Sequence, residues 1–272
     1  MQRNKDRHAI PFLKWAGGKR WLIERIADLL SPPCGRYIEP FLGSGAVYFH
    51  LRPRRAILSD ANESLIRTYK AIKSDWRKVF EHLRRHDRLH DPEYYYKIRA
   101  SRPTSDAGHA ARFIYLNRTC WNGLYRVNFR GEFNVPIGTK SKVILDFDDF
   151  ESVANLLRRA KLNACDFEEC INTAGAGDLV FADPPYTVKH NYNGFVKYNE
   201  TLFTWEDQIR LRDAVAAAHS RGATVLVTNA NHKTIRQLYK GIGRMTVIKR
   251  ASVIGGTVSA RGPVEELLIQ CS

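Results

Sequence analysis

Leu179-Val180-Phe181-Ala182-Asp183-Pro184-Pro185-Tyr186 joins an apolar run to an acid, two prolines and an aromatic ring. The run reads as a strand, and in open α/β sheets ligands bind outside the carboxyl ends of the strands. Two successive prolines stiffen the turn there without occupying backbone donors. At such a corner Asp183 can accept one N–H of an exocyclic amine and the Pro184 carbonyl a second, while Tyr186 can stack on the attached heterocycle. That chemistry suits a planar amino group. A plain strand-ending turn also uses Asp and Pro, so the tetrad alone leaves both readings open.

The segments around it extend the α/β pattern. Tyr37-Ile38-Glu39 reads as a strand, Pro40-Phe41-Leu42-Gly43-Ser44-Gly45 as a tight turn, 46–51 as a helix and 56–60 as a second strand, a βαβ beginning. Further on, 147–161 reads as an amphipathic helix, 162–167 as a short strand, 204–219 as a helix and 224–229 as a buried strand. The segments 245–249 and 264–270 read as strands around Gly255-Gly256-Thr257, a hairpin at the sheet edge.

The middle reads differently. Over 64–88 the residues Leu65, Ile66, Tyr69, Ile72, Trp76, Val79, Phe80 and Leu83 recur at helical spacing among many Lys and Arg, which predicts amphipathic helices with a basic outer face. A helix over 107–117 follows, then a loop or hairpin rich in aromatic residues, Asn and Gly. The predicted organisation is a catalytic domain from 1–61 and 146–272, with 62–145 inserted.

Charge follows the same division. The 272 residues carry a formal net charge of +15 from 43 Lys and Arg against 28 Asp and Glu. Residues 62–145 hold 17 of the basic and 8 of the acidic residues, a net of +9, so over half of the excess lies in under a third of the chain. A regional excess favours a polyanionic partner. Cys34, Cys120, Cys165, Cys170 and Cys271 are odd in number and contain no C-x-x-C, which points away from a disulfide framework and from a cysteine zinc site. A reducing cytoplasm is expected. The basic first eight residues lead into Lys14 and a Gly-Gly pair rather than an apolar core, and no stretch approaches transmembrane length.

Two glycine motifs narrow the ligand. The turn Gly43-Ser44-Gly45 follows a strand, where backbone can approach a nucleoside, and Asp60 ends the next strand 21 residues after Glu39, where an acid can hold a ribose diol. Tyr48 stands where a dinucleotide fingerprint needs its third glycine, which discounts NAD and FAD. A nucleoside cofactor without pyrophosphate fits better. The stretch Phe12-Leu13-Lys14-Trp15-Ala16-Gly17-Gly18-Lys19-Arg20 is not a P-loop, because Leu13 and Arg20 replace the required glycine and hydroxyl. What it displays is Trp15, suited to packing on an adenosyl group, and Lys19, suited to pairing with a carboxylate. His82, His86 and His90 have helical metal-ligand spacing, but Arg84, Arg85 and Arg88 crowd the segment, so a solvated or phosphate-facing surface is expected. Cys165 and Cys170 read as structural.

Taken in order, these motifs resemble the Dam-type DNA adenine-N6 methyltransferases of the D12 class, alpha group. The 12–19 stretch resembles the family's amino-terminal cofactor motif, Glu39-Pro40-Phe41-Leu42-Gly43-Ser44-Gly45 its glycine turn and Ser59-Asp60-Ala61-Asn62 its ribose-binding strand end. Asp166-Phe167 is similar to the element beside the cofactor adenine, and Asp183-Pro184-Pro185-Tyr186 to the catalytic tetrad. Tyr115-Leu116-Asn117-Arg118, Asn122-Gly123-Leu124, Arg126, Asn128 and the stretch from Arg130 to Pro136 resemble the target-recognition hairpin of members that read GATC.

The resemblance implies a Rossmann-like S-adenosylmethionine-dependent methyltransferase sheet with an inserted helical and hairpin recognition domain. It implies cofactor contacts from Trp15, Ala16, Gly17, Lys19, Glu39, Phe41, Gly43, Ser44, Gly45, Asp60, Asn62, Asp166, Phe167 and Asp183. DNA would meet Lys14, Trp121, Asn122, Leu124, Arg126, Asn128 and Pro136; Trp121 stands where relatives commonly have Tyr. The implied reaction is methyl transfer from S-adenosyl-L-methionine to an adenine flipped out of duplex DNA, within GATC or a related short site, with Asp183, Pro184 and Tyr186 catalytic. No metal and no membrane are implied. A monomer in the cytoplasm, nucleoid-associated through DNA, is expected. Two rivals stand beside it: a methyltransferase acting on RNA or a protein glutamine amide, which the same tetrad would serve, and a catalytically silent DNA-binding module.

Overall fold

The computed structural model describes residues 9–15, 18–26, 29–30, 35–128, 130–187, 203–251 and 263–271. Ala16, Gly17, Cys34 and the expected turn at Gly255-Gly256-Thr257 lie outside these residues. Among the described residues the chain forms, in order, α1 (Arg20–Ile26), β1 (Tyr37–Glu39), α2 (Ala46–Leu51), β2 (Ala56–Asp60), α3 (Glu63–Leu89), α4 (Pro92–Ala100) and α5 (Asp106–Thr119). There follow α6 (Phe150–Leu157), β3 (Ala160–Ala164), α7 (Phe167–Asn172), β4 (Leu179–Ala182), α8 (Trp205–Ser220), β5 (Thr224–Ala230), α9 (Lys233–Leu238), β6 (Arg244–Ala251) and β7 (Pro263–Cys271). Contacts divide the chain into two compact units: Met1–Ser31, Leu42–Arg54 and Asn62–Ala164 make one, and Pro32–Phe41, Arg55–Ala61 and Cys165–Ser272 the other. No helix among the described residues is long and apolar enough to cross a membrane.

The second unit holds six strands in the order β2-β1-β4-β5-β7-β6. β2, β1, β4 and β5 run parallel, and β7 is antiparallel to both β5 and β6. The chain leaves β1 for β2 on one side and returns to β4 on the other, so strand order reverses at β1. That reversal is the topological switch point of a Rossmann-like α/β fold. β4 and β5 are continuous apolar runs because both of their faces are covered: all four residues of β4 and six of seven in β5 are buried. Ile38, Ile57, Val180, Val225, Leu211, Val215 and Ile269 share the core. α8 starts at a capping box in which Thr204 and Asp207 each satisfy the other's backbone N–H. The expected edge hairpin strands are present as β6 and β7, with β6 outermost.

In the first unit, Asn62 caps α3 by accepting the Leu65 N–H. Midway the helix breaks at Asp75 (φ −150, ψ 79), whose carboxylate accepts the Lys78 N–H at 3.2 Å and so caps the second segment. α4, not foreseen from periodicity, has Asp91 as cap and Pro92 in its first turn. Arg118 at the end of α5 is buried with Asp148, each side chain 2% exposed, and the two hydrogen bonds between them measure 2.6 and 2.7 Å. The same guanidinium donates to the carbonyls of Phe12 and Val143. One side chain thus ties together three distant segments of the unit.

Two expectations need correction here. The helix expected over 147–161 is only Phe150–Leu157, and the following strand is Ala160–Ala164 rather than 162–167. Asp149 sets the helix start, and Asp166 already caps α7 by accepting the Glu168 N–H, so the strand must end before it. The histidine segment is a solvated face only in part: His82, Arg84, Arg85 and Arg88 are exposed as expected, but His86 is buried with Nδ1 2.8 Å from the Tyr94 hydroxyl, and the half-buried His90 has Nδ1 2.8 Å from that of Tyr115. Burial holds the His86 imidazole down to about 4.

Candidate active site and nucleic-acid interface

In the second unit, β4 delivers Asp183 half-buried at its carboxyl end. The parallel register pairs Ala182 with Val227, which brings the next residue of β5, Thr228, beside Asp183. Thr228 Oγ1 donates to Asp183 Oδ1 at 2.6 Å. A carboxylate has about four acceptor sites, so this bond orients the group and still leaves it able to accept from a ligand. Tyr186 donates its hydroxyl proton to Glu266 Oε2 at 2.8 Å, and Glu266 is a buried residue of β7. Between them, Gln208 of α8 donates to the Pro185 carbonyl and to Thr187 Oγ1 at 3.5 and 3.3 Å, and is itself held by Asn229 of β5 at 2.9 Å. The side chains of Asp183 and Tyr186 and the Pro185 carbonyl thus each have a partner on a regular element.

The neighbouring strand ends in this unit present acids and rings. Glu39 is buried, and Asp60 is half-buried at the end of β2 as expected. Phe41 stacks on Phe167 with ring centroids 5.4 Å apart, and Phe203 packs edge-on to Phe41 at 5.6 Å. Asp166 both caps α7 and accepts from Arg210 at 2.8 Å. Arg210 lies over the Phe167 ring and also pairs with Glu168 and Asp207, and the Glu168 hydrogen bond in particular raises its pKa. Burial pushes the thiols of Cys165 and Cys170 up, that of Cys170 to about 12, which leaves them unreactive. No group of ligating side chains that could hold a metal ion occurs among the described residues.

In the first unit the expected glycine turn is present. Gly43 and Gly45 have φ +48 and +66, and the Tyr69 hydroxyl donates to the Gly43 carbonyl at 3.0 Å. A Cβ at Gly43 would lie 2.7 Å from Trp15 Cδ1, so only glycine lets the turn approach that ring. Trp15 is half-buried and stacks on Tyr125 at 5.9 Å and on Phe113 at 6.4 Å. Ser44 and Lys19 are buried, and Asn62 uses its side chain to cap α3.

Beyond α5 the chain makes a tight turn over Trp121–Gly123, with Asn122 in the left-handed region at φ 56. Trp121 is 52% exposed, although its ring is the largest apolar group in the turn. The two arms pair at Cys120 with Ile137 and at Val127 with Phe133. Asn128 Oδ1 accepts from the amides of Arg130 and Glu132, and its Nδ2 donates to Glu132 at 3.1 Å. This side chain, expected to face DNA, shapes the tip of the hairpin. Arg126 is exposed, and its Nε donates to Asn134 Oδ1 at 2.9 Å while its terminal amino groups make no hydrogen bond among the described residues. Leu124 is half-buried and Pro136 exposed. Sequence reasoning did not single out Thr228, Glu266 or Gln208, each of which acts on the 183–186 corner from a distant position.

A Rossmann-like sheet ending in a braced acid-Pro-Pro-Tyr corner, in a chain that also carries a basic helical unit with an exposed hairpin, defines a methyltransferase of the α/β class. The model of the D12 class N6 adenine-specific DNA methyltransferases matches residues 15–253. The chain is 35% identical to the Type II methyltransferase M1.LlaDCHI of Lactococcus lactis subsp. cremoris, over 99% of this chain and 97% of that protein. It is 35% identical to the Type II methyltransferase M.MjaIII of Methanocaldococcus jannaschii, covering 95% and 98%, and 33% identical to the DNA adenine methylase of Vibrio cholerae, covering 94% of each. The chain belongs to the D12 class of N6 adenine-specific DNA methyltransferases.

Proposed function

We propose that the protein transfers the methyl group of S-adenosylmethionine to the exocyclic nitrogen of an adenine extruded from duplex DNA, within GATC or a related short site. The observation that carries this reading is the 183–186 corner, with its carboxylate oriented by Thr228 and its tyrosine anchored by Glu266. Adenine's amino lone pair is delocalised into the ring and is a poor nucleophile. Asp183 and the Pro184 carbonyl accept the two amino hydrogens in the geometry where that lone pair points out of the ring plane, an interaction stronger in the transition state than in the ground state. The nitrogen becomes cationic as it is methylated, and the Asp183 carboxylate stabilises that charge until a proton leaves. Extruding a base costs a few kcal/mol, on the order of what stacking on a fixed Tyr186 ring offsets.

The residues present fit a nucleoside cofactor. The Gly43 turn admits no side chain, Asp60 ends β2 as an acid suited to a ribose diol, and the half-buried Phe41 ring, stacked on the buried Phe167, supplies an apolar surface. S-adenosylmethionine, when bound, supplies a methyl group on a positively charged sulfur. On the family likeness, Glu39, Phe41, Asp60, Asp166, Phe167 and Asp183 of the second unit and Trp15, Lys19, Gly43, Ser44, Gly45 and Asn62 of the first hold it.

Residues 62–145 carry target recognition. The free fork of Arg126 suits the O6/N7 edge of guanine, Trp121 is an exposed wedge, and Lys14, Asn122, Leu124 and Pro136 complete the DNA face. The exposed basic side chains elsewhere in this stretch, such as Arg84, Arg85 and Arg88, contact phosphate and carry no sequence information. Incubation with labelled S-adenosylmethionine and duplex DNA should yield N6-methyladenine, and its absence from every sequence tested would defeat the reading. Digestion of the product with enzymes sensitive to or dependent on GATC methylation tests the site separately.

A further inference from the structure

Asn117 sits fully buried in the last turn of α5 and bonds to two segments that the chain separates widely. Its Oδ1 accepts the Lys14 N–H at 2.9 Å, and its Nδ2 donates to the Lys14 carbonyl at 2.8 Å and to the Gly123 carbonyl at 3.3 Å. The pair of bonds to one residue's N–H and C=O fixes the orientation of that peptide as a β-bridge would, but through a side chain. Gly123 has φ +68, and a Cβ there would lie 2.7 Å from Lys14 Cδ, so the lysine stem lies directly along the turn that carries Trp121 and Asn122. Partial burial, and after it the neighbouring Lys140, lowers the Lys14 pKa, and a nearby anion would relieve both effects.

We propose that Asn117 is a positioning residue for DNA recognition, holding the Lys14 main chain by its N–H and C=O so that the Lys14 ammonium is presented to DNA alongside the Trp121–Gly123 turn, which keeps its shape through its own main-chain bonds. The proposal rests on the reading of Lys14 as a DNA contact. Asn117 touches no DNA itself; it acts through Lys14. Its effect must therefore disappear when the Lys14 side chain is absent, although the main-chain bonds remain.

The test is a double-mutant cycle on the full chain, measuring affinity for a duplex that the wild type methylates, with Lys14→Ala, Asn117→Ala and the double variant. Asn117→Asp, which keeps the shape and the acceptor but removes both donated bonds, repeats the cycle if the alanine variant fails to fold. The expected result is a loss on the order of tenfold for each single variant, and a double variant within about twofold of Lys14→Ala. Affinity for S-adenosylmethionine should stay within about twofold of wild type. Losses that multiply in the double variant overturn the proposal and leave the DNA role of Lys14 standing. A Lys14→Ala variant that binds DNA as wild type does removes both, whereas a wild type that methylates no duplex defeats the proposed function itself.

Discussion

The 183–186 corner and the 121–136 hairpin are both short polar and aromatic loops, yet their functional ends are held differently. The corner is fixed by partners 45, 23 and 80 residues away along the chain, on β5, α8 and β7. The tip of the hairpin is shaped by bonds across 8 or 4 residues, such as Arg126 to Asn134 and Asn128 to Glu132, while its return arm is tied down by Tyr95, whose hydroxyl donates to the Val135 carbonyl at 2.9 Å, and by Arg102, which pairs with Glu132 at 2.6 Å. Methyl transfer needs an acceptor aimed to a fraction of an ångström, which only a group over-determined by the rigid sheet can supply. Reading bases needs side chains left available on a loop that keeps its own shape. The first loop is held by the fold along its length, the second at its base by the helices and at its tip by itself.

That contrast can be broken or sharpened by substitution. Asp183→Ala should lower the single-turnover methylation rate by at least ~10³-fold, since it removes the oriented acceptor, while DNA binding by fluorescence anisotropy stays near wild type. An active Ala variant would mean that the role assignment is wrong. Asp148→Ala strands the buried Arg118 charge beneath the hairpin and should cost about 3–5 kcal/mol in urea unfolding, with no effect on the chemistry of the corner beyond that of unfolding. A loss below ~1 kcal/mol would show that water or another carboxylate replaces it.

The helical support of the hairpin should also be sensitive to acid. His86 is held at about 4 against an ordinary 6.5, so between these values the unfolded chain binds a proton that the folded chain excludes. Its contribution is therefore complete above about pH 6.5 and falls away as pH drops, by up to ~3 kcal/mol near pH 4. Urea midpoints at pH 7 and pH 5 should converge less for wild type than for His86→Gln, and equal pH sensitivity would remove His86 as the cause. Arg126→Ala should relax discrimination at one base pair by ~1–3 kcal/mol in competition assays without changing Tm appreciably. Asn134→Ala, which frees the guanidinium without removing it, should have the same direction and a smaller effect, about 1 kcal/mol.

Much of the sheet was legible in the sequence. β4 and β5 are buried on both faces and read as unbroken apolar runs, and the glycine turn after β1 needs the left-handed conformation that Gly43 and Gly45 adopt. The boundary between α6 and β3 was misread because apolar spacing continues through Arg158 and Arg159, and the decisive signals were the caps at Asp149 and Asp166. α4 had its cap in plain view at Asp91-Pro92 but too few apolar positions to register as amphipathic. Within the candidate site, the motif residues were legible and their supports were not. Thr228 reaches Asp183 only through the β4–β5 register, and Glu266 reaches Tyr186 only because β7 enters the sheet antiparallel beside β5. Asn117 belongs to a legible motif, but its two-handed grip on Lys14 depends on where a segment 103 residues earlier docks.

The direction of β7 also sets a tolerance for engineering. Along a strand the inward and outward faces alternate, so a slip of two residues preserves every buried position while changing which residue stands at a given height. Such a slip of β7 would keep a hydrogen-bonded ladder with β5, yet it would carry Glu266 away from the place where it now meets Tyr186. Fusions or insertions that tug on this strand could thus yield a well-folded protein whose aromatic platform has lost its anchor, a fault visible in turnover and silent in a melting curve.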